Sequence, residues 1–206
     1  MSMSGWAEIY KKRMYLSRVL GALGVVAYVF MAPVWPERRP GLAEALGFLG
    51  LLLVGAGVIG RVWALSYLVG KKSKSLVTEG PFSLCRNPLY LFSFLGLLGI
   101  CLRTRSLVIS VAVMALFMWV HLRSVRNEEA KLRALFEGEF EAYAKRIPRF
   151  MPSFAHFKES DMLTVNAVLF RKGITELMMF FLILAFFELV AALHQSGMVP
   201  VWLTLY

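Results

Sequence analysis

The chain reads as long apolar runs broken by short polar segments, and the runs have the length a membrane demands. Crossing a hydrocarbon core of about 30 Å takes roughly 20 mostly apolar residues in a helix. Residues 16–35 form one such run, and residues 45–69 form a second with a single charge, Arg61, two-thirds of the way along. The second is longer than a bilayer needs. It is expected to tilt, or to carry its last turns into the headgroup layer, where Arg61 and Lys71 would snorkel. A third run, 88–102, is short, and Arg103-Thr104-Arg105-Ser106 separates it from a fourth at 107–122, so the two predict a helical hairpin. The fifth covers 174–193 and holds Glu176 near one end and Glu188 near the other.

Beyond residue 122 the pattern changes. Leu132, Leu135, Phe136, Phe140 and Tyr143 keep a helical spacing among charged neighbours. This predicts an amphipathic helix that continues the fourth span, lies against the membrane face and stops at Pro148 and Pro152. The expected fold is therefore an all-α polytopic bundle of about five transmembrane helices with one cytoplasmic amphipathic helix, in a single membrane domain over residues 1–206.

Composition agrees, since 58% hydrophobic residues in 206 exceed what one soluble domain can bury. Charge orients the bundle, because cytoplasmic loops carry the excess of lysine and arginine. With the N-terminus inside, eighteen of the 23 basic residues fall on the cytoplasmic side, and Arg38, Arg39, Arg103 and Arg105 fall outside. The net charge of +10 is thus topological. It points to anionic membrane lipids as partners and not to nucleic acid. A bacterial inner membrane or an endoplasmic reticulum membrane would suit. The N-terminal run has full span length and no small-residue cleavage site after it, so an uncleaved first span is expected.

Cys85 and Cys101 lie sixteen residues apart, about 24 Å along a helix, too far for a disulfide. No zinc or redox spacing is present, and no metal site is expected. Gly47, Gly50, Gly55, Gly57 and Gly60 predict close helix packing in place of a phosphate loop. Glu188, near the outer end of the last span and close to His194, is expected to be structural or to reach interfacial water, ahead of contacting substrate.

Short outer connections leave two inner stretches able to build a site, 71–90 and 123–172. In the first, Gly80-Pro81 marks a turn, and Asn87-Pro88 places a capping side chain before a proline suited to the first helical position. The N–H groups of that helix start, beside Arg86, would receive a carboxylate. Glu128 with Lys131, and Glu129 with Arg133, have the spacing of plain surface ion pairs. His121 sits at the inner end of a span, where packing is the ordinary role.

Taken together, Gly80-Pro81-Phe82, Arg86-Asn87-Pro88-Leu89-Tyr90, Glu128-Glu129 and Tyr143-Ala144-Lys145-Arg146-Ile147-Pro148 resemble, in order and spacing, the shared blocks of the isoprenylcysteine carboxyl methyltransferases and their phospholipid methyltransferase relatives. The resemblance covers residues 76–152, which would form the methyltransferase-like core, with the span at 174–193 an addition to it. Asn87 stands where the family pattern has histidine, and Phe82 where it has tyrosine. An asparagine still donates and accepts hydrogen bonds but cannot carry a proton-transfer role.

The resemblance implies an S-adenosylmethionine cofactor. Leu76, Val77 and Phe82 would surround the adenine, and Asn87, Pro88, Leu89 and Tyr90 would stand at the helix start. Arg86 would meet the methionine carboxylate and Glu128 the ammonium. The implied reaction is methyl transfer to a lipid-borne, prenylated or otherwise hydrophobic acceptor at the cytoplasmic face. A carboxylate acceptor is already ionised and needs mainly alignment in a dry site. An amine or hydroxyl needs a proton acceptor, for which Glu129 and His121 are the candidates beside Arg86 in the catalytic set. Two other classes stay open: an NADPH-dependent sterol-type membrane reductase, usually a much longer chain, and a non-catalytic transporter or scaffold that keeps the fold.

Overall fold

A computed structural model describes residues 28–33, 39–69 and 75–205. Most of the first expected span, the basic residues Lys11, Lys12, Arg13 and Arg18 before or at its start, and Arg38, Lys71, Lys72 and Lys74 lie outside them. The described chain is a helical membrane bundle. In order it holds β1 (Met31–Pro33), α1 (Pro40–Leu68), α2 (Pro81–Leu84), α3 (Pro88–Thr104), α4 (Leu107–Arg146), α5 (Ala167–Gln195) and β2 (Leu203–Leu205). The two strands are three residues each and pair in parallel, Met31 opposite Leu203. Three helices, α1, α4 and α5, are long and apolar enough to cross a membrane, and α3 is a shorter apolar helix of 17 residues.

Small residues decide which helices touch. On α1 and α3, Gly50 and Gly99 face each other so closely that a Cβ on Gly50 would stand 2.6 Å from the Gly99 carbonyl oxygen, and one on Gly99 2.4 Å from that of Gly50. Gly57 meets the Gly96 backbone in the same way, and Gly60 receives the Phe92 ring. Backbones without side chains between them gain dispersion contacts that lipid tails cannot match. Gly55, expected in this stripe, has nothing within 4 Å of its Cβ position and takes no part. The α5 helix closes against both partners, with Phe180 over Gly96 and Leu65 over Gly173. Leu107, Val108 and Val111 on α4, and Met178, Phe181 and Leu182 on α5, are exposed, as a hydrocarbon solvent requires.

The predicted hairpin is present. Arg105 ends α3 in the left-handed conformation (φ 55°), and Ser106 caps α4 by accepting from the Ile109 N–H at 3.4 Å. At this end Arg103 pairs with Glu188 of α5, and Arg105 with Glu44 of α1 at 2.6 Å. Glu188 is thus structural, tying the hairpin to the last span. Both cysteines are free and buried.

The fourth span and the amphipathic helix form one helix of 40 residues, interrupted at Glu137 (φ 24°, ψ −109°) immediately before Gly138. Past that break Phe140, Tyr143 and Ile147 form a small buried core with Leu76, Leu132 and Phe136 around it. The amphipathic spacing therefore has a partner within the protein: its apolar face packs on the segment that precedes α2.

Candidate functional site

The two inner stretches meet through backbone hydrogen bonds. Gly80, at φ 59°, lies against the Tyr67 ring, where a Cβ would come within 2.4 Å, so only glycine fits this turn. Its N–H donates to the Lys158 carbonyl at 2.7 Å. Arg86 N–H donates to the Pro148 carbonyl at 2.9 Å, and Ser153 N–H to that of Leu84 at 3.0 Å. Tyr143 adds its hydroxyl, donating to the Phe82 carbonyl at 2.8 Å. Burial, ahead of the nearby Cys85 and the opposing pull of Arg86, pushes the Tyr143 phenol well above its usual range, so it remains a neutral donor. Burial likewise pushes the Cys85 thiol up to about 11. That leaves it protonated and poorly nucleophilic.

At the junction sits Glu129, 4% exposed. Its Oε1 accepts from Asn87 Nδ2 at 3.0 Å, and Arg149 grips it with Nε (3.1 Å to Oε2) and Nη2 (2.7 Å to Oε2). Arg86 Nε stands 3.5 Å from Oε1, an ion pair without hydrogen-bond geometry. The Arg86 Nε–H is therefore buried with no acceptor. Asn87 holds the N-cap position of α3 as expected, but its side chain makes no capping hydrogen bond; its amide donates to Glu129 and, at 3.3 Å, to the Arg149 carbonyl. A buried carboxylate makes a strong charge-assisted acceptor for the amide N–H, and that bond fixes the orientation of the side chain. The expected Glu129–Arg133 pair is also absent, since Arg133 pairs with Glu141.

These groups border a cavity of about 330 Å³, within the range of small-molecule sites. Leu76, Val77 and Phe82 form one side, and Arg86, Asn87, Pro88, Leu89 and Tyr90 the rim of α3. From α4 come His121, Glu128 and Glu129. The residues singled out for donor binding or catalysis thus surround one space. Glu128 is half-buried, and among the described residues no ion pair reaches it. His121 stacks on Phe117 with centroids 4.0 Å apart, meets the Tyr90 ring edge-on, and places Nδ1 2.9 Å from the Phe117 carbonyl. A carbonyl only accepts, so Nδ1 carries the hydrogen and Nε2 of the neutral ring is the basic nitrogen.

The sequence reading missed Arg149, which holds Glu129 from 20 residues away, and Arg61 with Ser93, which also line the cavity. Arg61 borders this space and donates to the Ser93 hydroxyl. A lone charge in an apolar run was the signal that could have found it. Nothing local marks Arg149.

Comparison with known proteins follows this geometry. The family model described as phospholipid methyltransferase matches residues 45–139. A cobalt-zinc-cadmium resistance protein, CzcN, of Cupriavidus metallidurans is 33% identical over 76% of this chain and 72% of its own length. A nickel-cobalt-cadmium resistance protein, NccN, of Alcaligenes xylosoxydans xylosoxydans is 30% identical over 81% of this chain and 76% of its own. A protein-S-isoprenylcysteine O-methyltransferase of Schizosaccharomyces pombe is 30% identical over 53% of this chain and 48% of its own. No solved structure matches. Among the described residues no group of three His, Cys, Asp or Glu side chains could hold a metal ion.

Proposed function

We propose, from the premise that this chain belongs to the membrane methyltransferase superfamily that joins the phospholipid and isoprenylcysteine methyltransferases, that it methylates a hydrophobic acceptor with S-adenosylmethionine as donor. The observation that carries this reading is the buried Arg86 Nε–H, held beside Glu129 with no acceptor among the described residues, on the rim of a cavity that also holds Glu128, which no ion pair among the described residues reaches. A zwitterionic amino-acid moiety fits that pair. Its carboxylate would take Arg86 and the start of α3, and its ammonium would take Glu128. Leu76, Val77 and Phe82 offer the apolar wall an adenine needs, and the Tyr90 ring can face a sulfonium, worth about 0.5 to 2 kcal/mol.

When bound, S-adenosylmethionine supplies a methyl group on a positively charged sulfur. The chain's own part is alignment and exclusion of water. Glu129 works by position: gripped by Arg149 and Asn87, it stands beside the Arg86 guanidinium. Glu129 and His121 are the groups that would accept a proton from an amine or hydroxyl acceptor. By the excess of inner lysine and arginine, the site opens at the cytoplasmic face.

Calorimetry of S-adenosylhomocysteine binding to the purified protein in mild detergent tests the reading. NADPH and the cations Co²⁺, Zn²⁺ and Cd²⁺, raised by the names of two relatives, serve as controls. Micromolar binding of the methyl-donor product alone is expected. Binding of NADPH or a metal in its place, or of none of these, overturns the proposal.

A further inference from the structure

We propose that residues 150–157, between α4 and α5, form a membrane anchor that seats Met151 and Phe154 in the leaflet at the cavity end of the bundle; the proposal stands independently of methyl transfer. The stretch reads Phe150-Met151-Pro152-Ser153-Phe154-Ala155-His156-Phe157, with no Asp, Glu, Lys or Arg, between Arg149 and Lys158. Met151 is 77% exposed and Phe154 75%, yet neither sits on a loose chain. Ser153 N–H donates to the Leu84 carbonyl at 3.0 Å, and the Lys158 carbonyl accepts from Gly80 N–H at 2.7 Å. Between these tethers Phe157 N–H closes a turn on the Phe154 carbonyl at 3.1 Å. A turn fixed at both ends that holds large apolar side chains outward calls for an apolar surface to receive them.

The depth of the turn identifies that surface. Glu44, exposed and paired with Arg105, marks the polar boundary at the hairpin end of α1. Trp63 follows nineteen residues later, about 29 Å along the helix, against a hydrocarbon core of about 30 Å. It therefore stands at the opposite boundary, where tryptophan collects in membrane proteins. The Phe157 ring centroid lies 6.3 Å from that of Trp63, and the Phe154 centroid 6.3 Å from that of Phe157, so the turn shares this depth. Ile59, one turn before Trp63, is exposed, as a lipid-facing residue should be. The α5 helix marks the same level: Leu65 packs over Gly173, and the exposed Arg171 and Lys172 just before it are placed to reach the head groups. The lipid-facing belt of α1 and α5 thus continues onto the turn. Its tethers run to Gly80 and Leu84, on either side of the cavity-wall residue Phe82, so the anchor also fixes the height of the cavity relative to the leaflet.

The test places full-length Phe154→Cys and Met151→Cys, each carrying a thiol-linked fluorophore, in lipid nanodiscs. Cys85 and Cys101 are buried, and the wild-type protein treated with the same reagent gives the background. Emission is quenched in turn by a lipid bearing a nitroxide near the head-group end of its acyl chain and by iodide in the water. Several-fold stronger quenching by the nitroxide lipid than by iodide is expected at both positions, with emission shifted to the blue of the same protein in denaturant. Both side chains are exposed and outside the tethers, so either position alone decides the matter. Quenching by iodide with little effect of the nitroxide lipid overturns the proposal, because the turn then faces water. So does shielding from both quenchers that deepens when two chains share a disc, which makes a second copy the occupant.

Discussion

Arg149 closes on Glu129 with two nitrogens of one guanidinium, at 3.1 and 2.7 Å, and so joins the segment after α4 to a carboxylate five turns back along that helix. Arg149 is nearly half exposed while Glu129 is buried, so the two partners are unequal: Glu129 needs the pair more than Arg149 does.

Glu129→Ala is expected to destabilise the folded protein by about 3 kcal/mol or more, because Arg86 and Asn87 lose a buried partner together. Arg149→Ala should cost about 1 kcal/mol, since water reaches its side of the pair. Unfolding in mild detergent checks both, and equal losses would refute the unequal partnership.

Arg86→Ala and Glu128→Ala are expected to weaken S-adenosylhomocysteine binding by tenfold or more each. Glu128→Ala should leave stability within about 0.5 kcal/mol, as no ion pair among the described residues depends on it. Calorimetry beside a thermal melt separates the two effects; unchanged affinity in both variants would remove these residues from the donor site.

Gly99→Val should disrupt the bundle, since its Cβ position lies 2.4 Å from the Gly50 carbonyl oxygen and neither backbone can yield. Gly55→Ala, on the same α1 helix with open space around it, should be close to neutral. Melting temperatures of the pair decide whether the glycine stripe is a packing surface or a compositional accident.

Cys85, protonated up to about pH 11, is expected to resist maleimide at pH 8 until the protein is unfolded. The same shift sets a sign on pH dependence. The folded thiol, like the Tyr143 phenol, holds its proton to higher pH than the unfolded one, so its contribution is complete below about pH 9 and declines as pH rises toward 11. Stability measured from pH 8 to 11 should fall, and Cys85→Ala should flatten the slope.

Much of this protein was legible in its sequence because membranes impose one-dimensional rules. Span length, apolar content and the hairpin at Arg103 to Ser106 follow from bilayer thickness, and α1, α3, α4 and α5 lie where those rules put them. The candidate donor residues were legible for a different reason: the resemblance marks them in or beside its compact blocks, and 76–90 and 121–129 come together around one cavity.

Three-dimensional packing decided the rest. Asn87 stands at the N-cap position that the chain predicted, and only the arrival of Glu129 from 42 residues away gave its amide N–H a buried acceptor. Glu129 and Arg133 had the spacing of an ion pair, yet the helix turned Glu129 inward to Arg149 and left Arg133 to Glu141. Arg61 could be read along the chain as a charge within a span, but the direction it faces depends on how closely α3 approaches through paired glycines. Local sequence states which groups a residue could satisfy; a buried charge takes the strongest partner within a few ångströms, and that partner is set by the fold.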